Sequence, residues 1–218
     1  MRVEHSWNVT ASEAIAIQKQ LAAYVVREDD LGEVRRVGGV DVGFEEANTV
    51  TRAAVVVLSF PQLKVEEEAL GRVPTSFPYI PGLLSFREGP AILQSLAKLP
   101  RAPDLLLFDG QGIAHPRRLG IASHIGVLTN VPSIGVAKSR LRGKVREPLA
   151  EKKGARTLLW DGDEIIGAAV RTRRGTKPLY VSIGHRVSLT TAVEFVLACT
   201  TRYKLPETTR QAHRLASG

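Results

Sequence analysis

Two aspartates, far apart in the sequence, lie at segments that predict buried strands. Asp109 follows the apolar run Leu105–Phe108 and precedes Gly110, and Asp41 lies inside the apolar segment 37–44. Ligands bind at the carboxyl ends of such strands in α/β sheets. Taken alone, a Leu-Phe-Asp-Gly segment would fit a turn with a capping aspartate equally well. A second acid on a similar segment favours a functional site.

Carboxylates on neighbouring strands would favour a divalent cation. Two such groups in a semi-buried cleft cannot both stay ionised unless a cation neutralises them. Ligand sets made of oxygen alone favour Mg²⁺ or Mn²⁺ over zinc. Such an ion orients and deprotonates a water while it stabilises charge on a phosphodiester. If their strands are adjacent, the two aspartates therefore indicate phosphodiester hydrolysis.

Four further residues are candidates for the same site. Glu88 lies near the start of a predicted helix, where the helix dipole alone would also favour an acid. His213 lies near the end of the last predicted helix, where surface histidines are common. Lys138 directly follows a predicted strand, although most lysines in that position are only solvated. His115 lies in a loop with several glycines soon after the second aspartate, and is a candidate substrate contact.

The composition is that of a basic, soluble chain. A length of 218 residues suits a single domain over residues 1–218, and the formal net charge is +8. Basic residues cluster at Arg117–Arg118, 138–146 and 171–177, which favours a polyanionic partner over a merely solvated surface. The amino terminus lacks the pattern of a secretory signal, no apolar run approaches the ~20 residues that span a bilayer, and the lone Cys199 excludes an internal disulfide. We expect a cytoplasmic location.

Periodicity and turn residues predict an alternating order of strands and helices. A capping box at Thr10–Glu13 opens the first helix. Short connections make the first three strands antiparallel neighbours, and a strand that follows a helix implies a parallel partner. The predicted strands are 36–44, 51–60, 63–71, 104–109, 133–137, 155–160, 164–171 and 177–184, and the later helices are 86–99, with Leu93, Leu96 and Ala97 on its apolar face, 117–129, 188–201 and 206–216.

This order is that of an α/β ribonuclease H-like fold. It predicts a central mixed sheet, with three antiparallel strands followed by parallel strands, flanked by helices. In that arrangement the first and fourth strands each carry one catalytic aspartate. The segment 74–82 contains Pro74, Pro78 and Pro81 and is therefore expected to be a stiff loop.

Four motifs in this order resemble the endonuclease V family over about residues 8–215. They are Gly39–Val42, the loop Pro78–Glu88, the stretch Asp109–Gly120 and the segment Ile134–Lys138. The resemblance implies a magnesium-dependent DNA repair endonuclease that recognises deoxyinosine, the product of adenine deamination. It also implies hydrolysis of the second phosphodiester bond 3′ to the lesion, which leaves a 3′-hydroxyl and a 5′-phosphate.

The resemblance also implies roles for individual residues. Asp41 and Asp109 would bind Mg²⁺ directly, with Mn²⁺ as a substitute, and Glu88 and His213 would act through metal-bound waters. Lys138 would contact a substrate phosphate, which completes a catalytic set of five residues. His213 rests on the shortest motif.

The proline-rich loop and nearby glycines would recognise the base. Reading hypoxanthine inside a duplex requires extrusion of the nucleotide, at a cost of ~a few kcal/mol, and a rigid apolar segment can fill the gap. Pro78, Tyr79, Ile80 and Pro81 are expected to form this wedge, and an ordinary packed loop is the alternative. By resemblance, Gly82, Leu84, Gly110 and Ile121 would form a close-fitting pocket that rejects the amino group of guanine.

Two other functions remain open from the sequence. Another ribonuclease H-like nuclease, such as a junction resolvase, would use the same metal chemistry on a branched substrate. A non-catalytic nucleic-acid-binding module would account for the basic clusters but leave the two aspartates unexplained, because acids oppose phosphate unless a metal intervenes. The expected partner is deoxyinosine-containing DNA, with inosine-containing RNA as a second candidate, and the chain is expected to be a monomer without membrane contact.

Overall fold

The computed structural model describes residues 4–218. Residues 1–3, which belong to the predicted domain 1–218 and to the segment predicted to lack a secretory signal, lie outside the described residues. The helices are α1 (Ala11–Leu21), α2 (Leu84–Ala97), α3 (Ile121–Thr129), α4 (Leu189–Ala198) and α5 (Glu207–Ser217). The strands are β1 (Arg36–Glu45), β2 (Val50–Ser59), β3 (Val65–Pro74), β4 (Leu105–Phe108), β5 (Ser133–Ala137), β6 (Lys144–Val145), β7 (Arg156–Asp161), β8 (Glu164–Val170) and β9 (Leu179–His185).

All of these strands belong to one mixed sheet. Their spatial order is β3-β2-β1-β4-β5-β9-β8-β7-β6. The first three strands pair antiparallel, whereas β4 pairs parallel with β1 and β5 pairs parallel with β4. The second half of the chain adds β9, β8, β7 and β6 as antiparallel strands on the far side of β5. The predicted ribonuclease H-like order of antiparallel strands followed by parallel strands is confirmed.

Helices cover both faces of the sheet, which explains the continuous apolar run in β4. Leu105 and Leu107 pack into a core shared with α4 and α5, whereas Leu106 and Phe108 pack into a second core shared with α2 and α3. A strand that is buried on both faces has no position for a polar side chain. The first polar residue after Phe108 therefore marks the sheet edge.

Helices α2 and α3 differ in detail from the prediction. Helix α3 begins at Ile121 instead of 117, because Arg118 adopts a left-handed conformation with φ 57° and Gly120 is an extended N-cap. The fully buried face of α2 includes Ile92 and Ser95, while Leu93 and Leu96 are only partly buried and Ala97 is exposed. The capping box of α1 is present as predicted, with Thr10 and Glu13 bonded to each other.

Helix α5 packs directly on β1 because two positions of that strand are glycines. A Cβ atom on Gly39 would overlap the carbonyl group of Thr208, and one on Gly43 would lie 2.6 Å from the carbonyl oxygen of Ala216. Both contacts are closer than the Cβ atom of a real side chain tolerates. Residues 39, 41 and 43 point to the same face of the strand, because side chains alternate along it. Asp41 thus lies between the two places where α5 meets the strand.

We expect Gly39→Ala to destabilise the protein by about 1–3 kcal/mol, because the added methyl group must displace the α5 backbone. The melting temperature should fall by about 3–10 °C, measured by circular dichroism. Gly32→Ala is the matched control, since a Cβ atom there meets nothing within 4 Å. Equal melting temperatures for the two variants would contradict close packing of α5 on β1.

Candidate active site

Asp41 and Asp109 lie side by side at the edge of the sheet. In the parallel pairing of β1 with β4, Val40 is opposite Phe108, and the Asp109 amide donates to the Val40 carbonyl oxygen at 3.0 Å. The next residue on each strand is therefore an aspartate, on strands separated by ~4.8 Å. Their side chains are 12% and 13% exposed. Burial, together with the charge of Asp109, raises the pKa of Asp41 above its ordinary value.

Each aspartate has a basic partner from a different element. His213 on α5 places Nδ1 2.7 Å from Oδ2 of Asp41, so this ring nitrogen donates to the carboxylate. Lys138, the residue after β5, forms an ion pair with Oδ2 of Asp109. Both basic side chains are about half exposed. The site therefore combines two buried acids with two accessible basic groups that face solvent and any substrate.

Glu88 contributes a third carboxyl group to the same place. It lies in the second turn of α2 and is 8% exposed, so the simple alternative of an acid at the helix start is not what the structure shows. Burial, followed by the charges of Asp41 and Asp109, raises the pKa of Glu88 to about 8. The three acids are close enough to influence one another, and in the absence of a cation Glu88 keeps its proton at neutral pH.

This set of donors fits a divalent cation that retains several waters. Among residues 4–218, no group of three or more His, Cys, Asp or Glu side chains is arranged to hold a metal ion by itself. Mg²⁺ is commonly bound through only one or two carboxylates, with water and substrate phosphate completing its shell. Asp41 and Asp109 provide two such carboxylates. A cation would neutralise their negative charges and so relieve their mutual repulsion.

A cavity of about 380 Å³ adjoins the acidic site. Asp109 and Lys138 are among its lining residues. Its walls include every residue predicted for the base pocket, namely Gly82, Leu84, Gly110 and Ile121, and also three wedge residues, Tyr79, Ile80 and Pro81, together with His115. Pro78, the fourth predicted wedge residue, is exposed and is not among the lining residues. The volume lies in the range of small-molecule pockets.

The proline-rich loop has an anchored base and an exposed tip. Phe77 is buried, its ring centroid lies 5.7 Å from that of Phe86, and its carbonyl oxygen accepts a hydrogen bond from Arg87 at 3.1 Å. Leu83 at the other end of the loop is also buried. Between them, Tyr79 is 70% exposed. A large exposed aromatic side chain on an anchored loop is suited to stacking on a base.

Close backbone approach forms one wall of the cavity. A Cβ atom on Gly110 would lie 2.6 Å from Cγ2 of Ile121, so a larger residue at 110 would fill the space beside that side chain. Gly82 has φ +80°, a conformation that favours glycine. The geometry therefore favours glycine at both positions of the cavity wall.

The structure gives His115 partners inside the protein. Its Nε2 lies 2.9 Å from the Gly82 carbonyl oxygen, and its Nδ1 accepts a hydrogen bond from the Arg117 amide at 3.1 Å. Burial, with a smaller effect of the Arg117 charge, lowers the pKa of His115 to about 4. A neutral ring with both nitrogens bonded is suited to positioning the cavity wall, and the predicted direct contact with substrate stays a prediction.

Sequence reasoning missed Gln18, a buried polar residue that also lines the cavity. Its side-chain amide donates to the carbonyl oxygens of Gly82 at 3.0 Å and of Leu119 at 3.3 Å. The sequence contained a signal, because Ala14, Gln18 and Leu21 occupy the buried positions of α1. A polar residue on an apolar helical stripe requires a buried hydrogen-bond partner.

Several arginines of the basic clusters are used within the protein. Arg118 pairs with Asp161 and Glu164 at 2.8 Å, and Arg142 pairs with Asp161 at 2.9 Å. Arg171 is buried. The exposed basic residues that remain for a polyanion include Lys138, Arg140, Arg173, Arg174 and Lys177.

The sequence and the structure were compared with known proteins. A model of the family described as Endonuclease V matches residues 19–214. The chain is 60% identical over 214 residues to the Endonuclease V of Nostoc sp., which covers 98% of this chain and 96% of that protein. The crystal structure of the Endonuclease V from Streptomyces avermitilis is similar with a TM-score of 0.92 and 44% identity, covering 99% of this chain and 95% of that one.

A further similar structure contains a nucleic acid. It is the Ciona intestinalis Endonuclease V in complex with a 23mer DNA containing an inosine followed by a ribo-adenosine. The TM-score is 0.82 at 31% identity, and the match covers 96% of this chain and 97% of that one. Within residues 4–218, no helix is long and apolar enough to cross a membrane.

The raised pKa of Glu88 predicts a pH-dependent stability in EDTA. Its pKa is about 8 in the fold against an ordinary value of 4.5, so the fold binds one more proton than the unfolded chain between these pH values. The contribution of Glu88 to the free energy of unfolding should therefore fall as pH rises through this window, by on the order of 5 kcal/mol.

Glu88→Gln removes this proton exchange. In urea unfolding, the difference in free energy of unfolding between the two proteins should therefore shift in favour of the variant from pH 5 to pH 8.5, because groups such as His115 contribute equally to both. The exposed Glu68 supplies a matched control, because Glu68→Gln should follow the wild type. The same pH dependence in all three proteins would contradict a buried, protonated Glu88.

Proposed function

We propose, on the premise that this chain belongs to the Endonuclease V family, that it hydrolyses DNA beside deoxyinosine with the help of Mg²⁺. Membership is shown by the match over residues 19–214 and by the identity to the Nostoc sp. protein, so the resemblance of the four motifs is confirmed. The chain is an endonuclease, a metal-dependent hydrolase of DNA repair. The proposal adds the metal, the lesion and the position of the cut, which is the second phosphodiester bond 3′ to the lesion.

One observation carries the proposal more than any other. The paired carboxylates of Asp41 and Asp109 adjoin a cavity whose walls include the predicted base pocket and wedge. An extruded base in the cavity would leave its own backbone over the acidic edge of the sheet. Chemistry and recognition therefore occupy neighbouring places, as cleavage near a recognised base requires.

The acids and bases of the site have separable tasks. Asp41 and Asp109 would hold Mg²⁺, or Mn²⁺ as a substitute, which when bound lowers the pKa of a water and stabilises charge on a phosphodiester. His213, whose side chain is about half exposed, orients Asp41 through the proton on its Nδ1. Lys138 would exchange its contact with Asp109 for a substrate phosphate, because a cation on the aspartates displaces a neighbouring ammonium. Neutralisation of the two aspartates would also lower the pKa of Glu88. Its ionised carboxylate could then accept hydrogen bonds beside the reacting groups.

The cavity and the loop beside it would select the base. Extrusion of a nucleotide costs ~a few kcal/mol, and the cost is smallest for a mispaired base such as hypoxanthine. Tyr79 at the exposed tip would stack in the gap, with Pro78, Ile80 and Pro81 as a rigid support. Hypoxanthine lacks the exocyclic amino group of guanine, so walls as close as those at Gly82, Leu84, Gly110 and Ile121 would exclude guanine by size.

The substrate, the oligomeric state and the location of the enzyme also belong to the proposal. The C. intestinalis relative binds DNA that contains an inosine, which supports the same substrate for this chain. Inosine-containing RNA is a second candidate substrate. We further propose that residues 1–218 act as a single domain, as a monomer, and in the cytoplasm.

The metal assignment is tested with a labelled duplex that carries one deoxyinosine. The wild type should nick the strand in Mg²⁺ and not in EDTA, at the second bond 3′ to the lesion, with 3′-hydroxyl and 5′-phosphate ends. Asp41→Ala and Asp109→Ala should each lower the rate at least about a thousandfold while both variants still bind the duplex, because the metal ligands are separate from the wedge. Nicking at the wild-type rate by both variants would refute the assignment, and preferential cutting of branched DNA would favour a junction resolvase.

The wedge is tested by Tyr79→Ala. Loss of one stacked aromatic side chain should weaken binding of the deoxyinosine duplex by about tenfold, and leave metal affinity unchanged. Fluorescence anisotropy measures the first quantity and calorimetry the second. Tyr24→Ala is the control, because Tyr24 is exposed but does not line the cavity. Equal DNA affinity for the two variants would exclude Tyr79 from recognition.

A further inference from the structure

The carbonyl oxygen of Gly82 accepts hydrogen bonds from three side chains. The donors are Nε2 of Gln18 at 3.0 Å, Nε2 of His115 at 2.9 Å and Nη2 of Arg117 at 2.7 Å. Gln18 and His115 are 1% and 3% exposed. A carbonyl oxygen has two lone pairs, so these donors leave no free acceptor site on it.

The three donors also bond to one another, which fixes their orientation. Arg117 donates from Nε to Oε1 of Gln18, and its amide donates to Nδ1 of His115. Because Nδ1 accepts, the ring proton lies on Nε2 and points at Gly82. A side chain at position 82 would be strained by the φ of +80°, and its Cβ atom, 2.9 Å from Nη2 of Arg117, would displace this donor.

This cluster connects the two walls of the cavity. Gly82 is the last residue of the proline-rich loop and lies two residues before Leu84. Arg117 belongs to the loop that begins after Asp109 and leads to Ile121. Gln18 bridges them from α1, because it also donates to the Leu119 carbonyl oxygen. The distance between the walls therefore depends on buried hydrogen bonds instead of on mobile apolar contacts.

We propose that Gln18, His115 and Arg117 are positioning residues that fix the Gly82 carbonyl and so exclude guanine from the cavity. This inference rests on the proposed function and deepens it. Because these bonds fix the spacing of the walls, the cavity does not widen to admit the amino group of guanine. The Gly82 carbonyl oxygen, whose lone pairs are taken by three donors, offers that group no hydrogen bond. Hypoxanthine brings no such group. The cluster acts on the choice of base and not on the hydrolytic groups, none of which it contacts in the bonds described above.

The test compares Gln18→Met with Gln20→Met, an exposed position of the same helix. The substrates are two duplexes that differ only in deoxyinosine or deoxyguanosine opposite the same thymine. Gln18→Met should reduce the preference for deoxyinosine, as the ratio of kcat/KM values, by about tenfold. The change should lie in KM, with kcat within about twofold of the wild type. Gln20→Met should behave as the wild type.

Two further variants separate positioning from a loss of folding. Gln18→Glu keeps the acceptor for Arg117 but loses the donor to Gly82, so it should resemble Gln18→Met. Arg117→Lys keeps the positive charge but loses the forked guanidinium donor. If the Gln18 variants fail to fold, the preference of this variant for deoxyinosine tests the proposal. An unchanged preference in folded Gln18 and Arg117 variants, or a loss of kcat with the preference intact, would overturn the proposal.

The outcome is distinguishable from failure of the proposed function. If the wild type does not nick the deoxyinosine duplex in Mg²⁺, the proposed function fails. The cluster is then tested by anisotropy, as the ratio of affinities for the two duplexes. If the wild type nicks the duplex and Gln18→Met keeps the wild-type preference, only the inference about the cluster fails.

Discussion

The repulsion between two carboxylates on neighbouring parallel strands is the constraint on which the site depends. The register of β1 and β4 places Asp41 beside Asp109, and a buried Glu88 adds a third acid. Without a cation, three features reduce this repulsion. His213 donates a hydrogen bond to Asp41, Lys138 forms an ion pair with Asp109, and Glu88 is protonated. Each of these interactions is reversible, so a divalent ion and a substrate phosphate could replace them.

Close backbone packing brings the remaining groups to this edge. Glycines at 39 and 43 let α5 lie on β1 and carry His213 to Asp41, and the hydrogen-bonded cluster at Gly82 fixes the wall of the adjoining cavity. Both arrangements rely on the absence of a Cβ atom where another backbone or a guanidinium group must approach. Glycine therefore permits a close approach at both places.

The sequence predicted the three antiparallel strands, the parallel strands after them and the aspartate pair, because these depend on local patterns. Alternating and continuous apolar runs define strands, short connections define antiparallel pairing, and a lone acid after an apolar run marks a sheet edge. The burial of Glu88, the late start of α3 and the role of Gln18 could not be predicted in this way. They depend on which surfaces meet in three dimensions, since Glu88 was equally compatible with a helix start and Gln18 bonds to residues far away in the chain.

We propose above all that Asp41 and Asp109 share one ion. The most direct measurement is Mn²⁺ binding followed by electron paramagnetic resonance for the wild type, Asp41→Asn, Asp109→Asn and the double variant. If the ion is shared, each single substitution removes most of the affinity and the double variant loses little more, because the two effects are not additive. Wild-type affinity in either single variant, or losses that add in the double variant, would contradict the account.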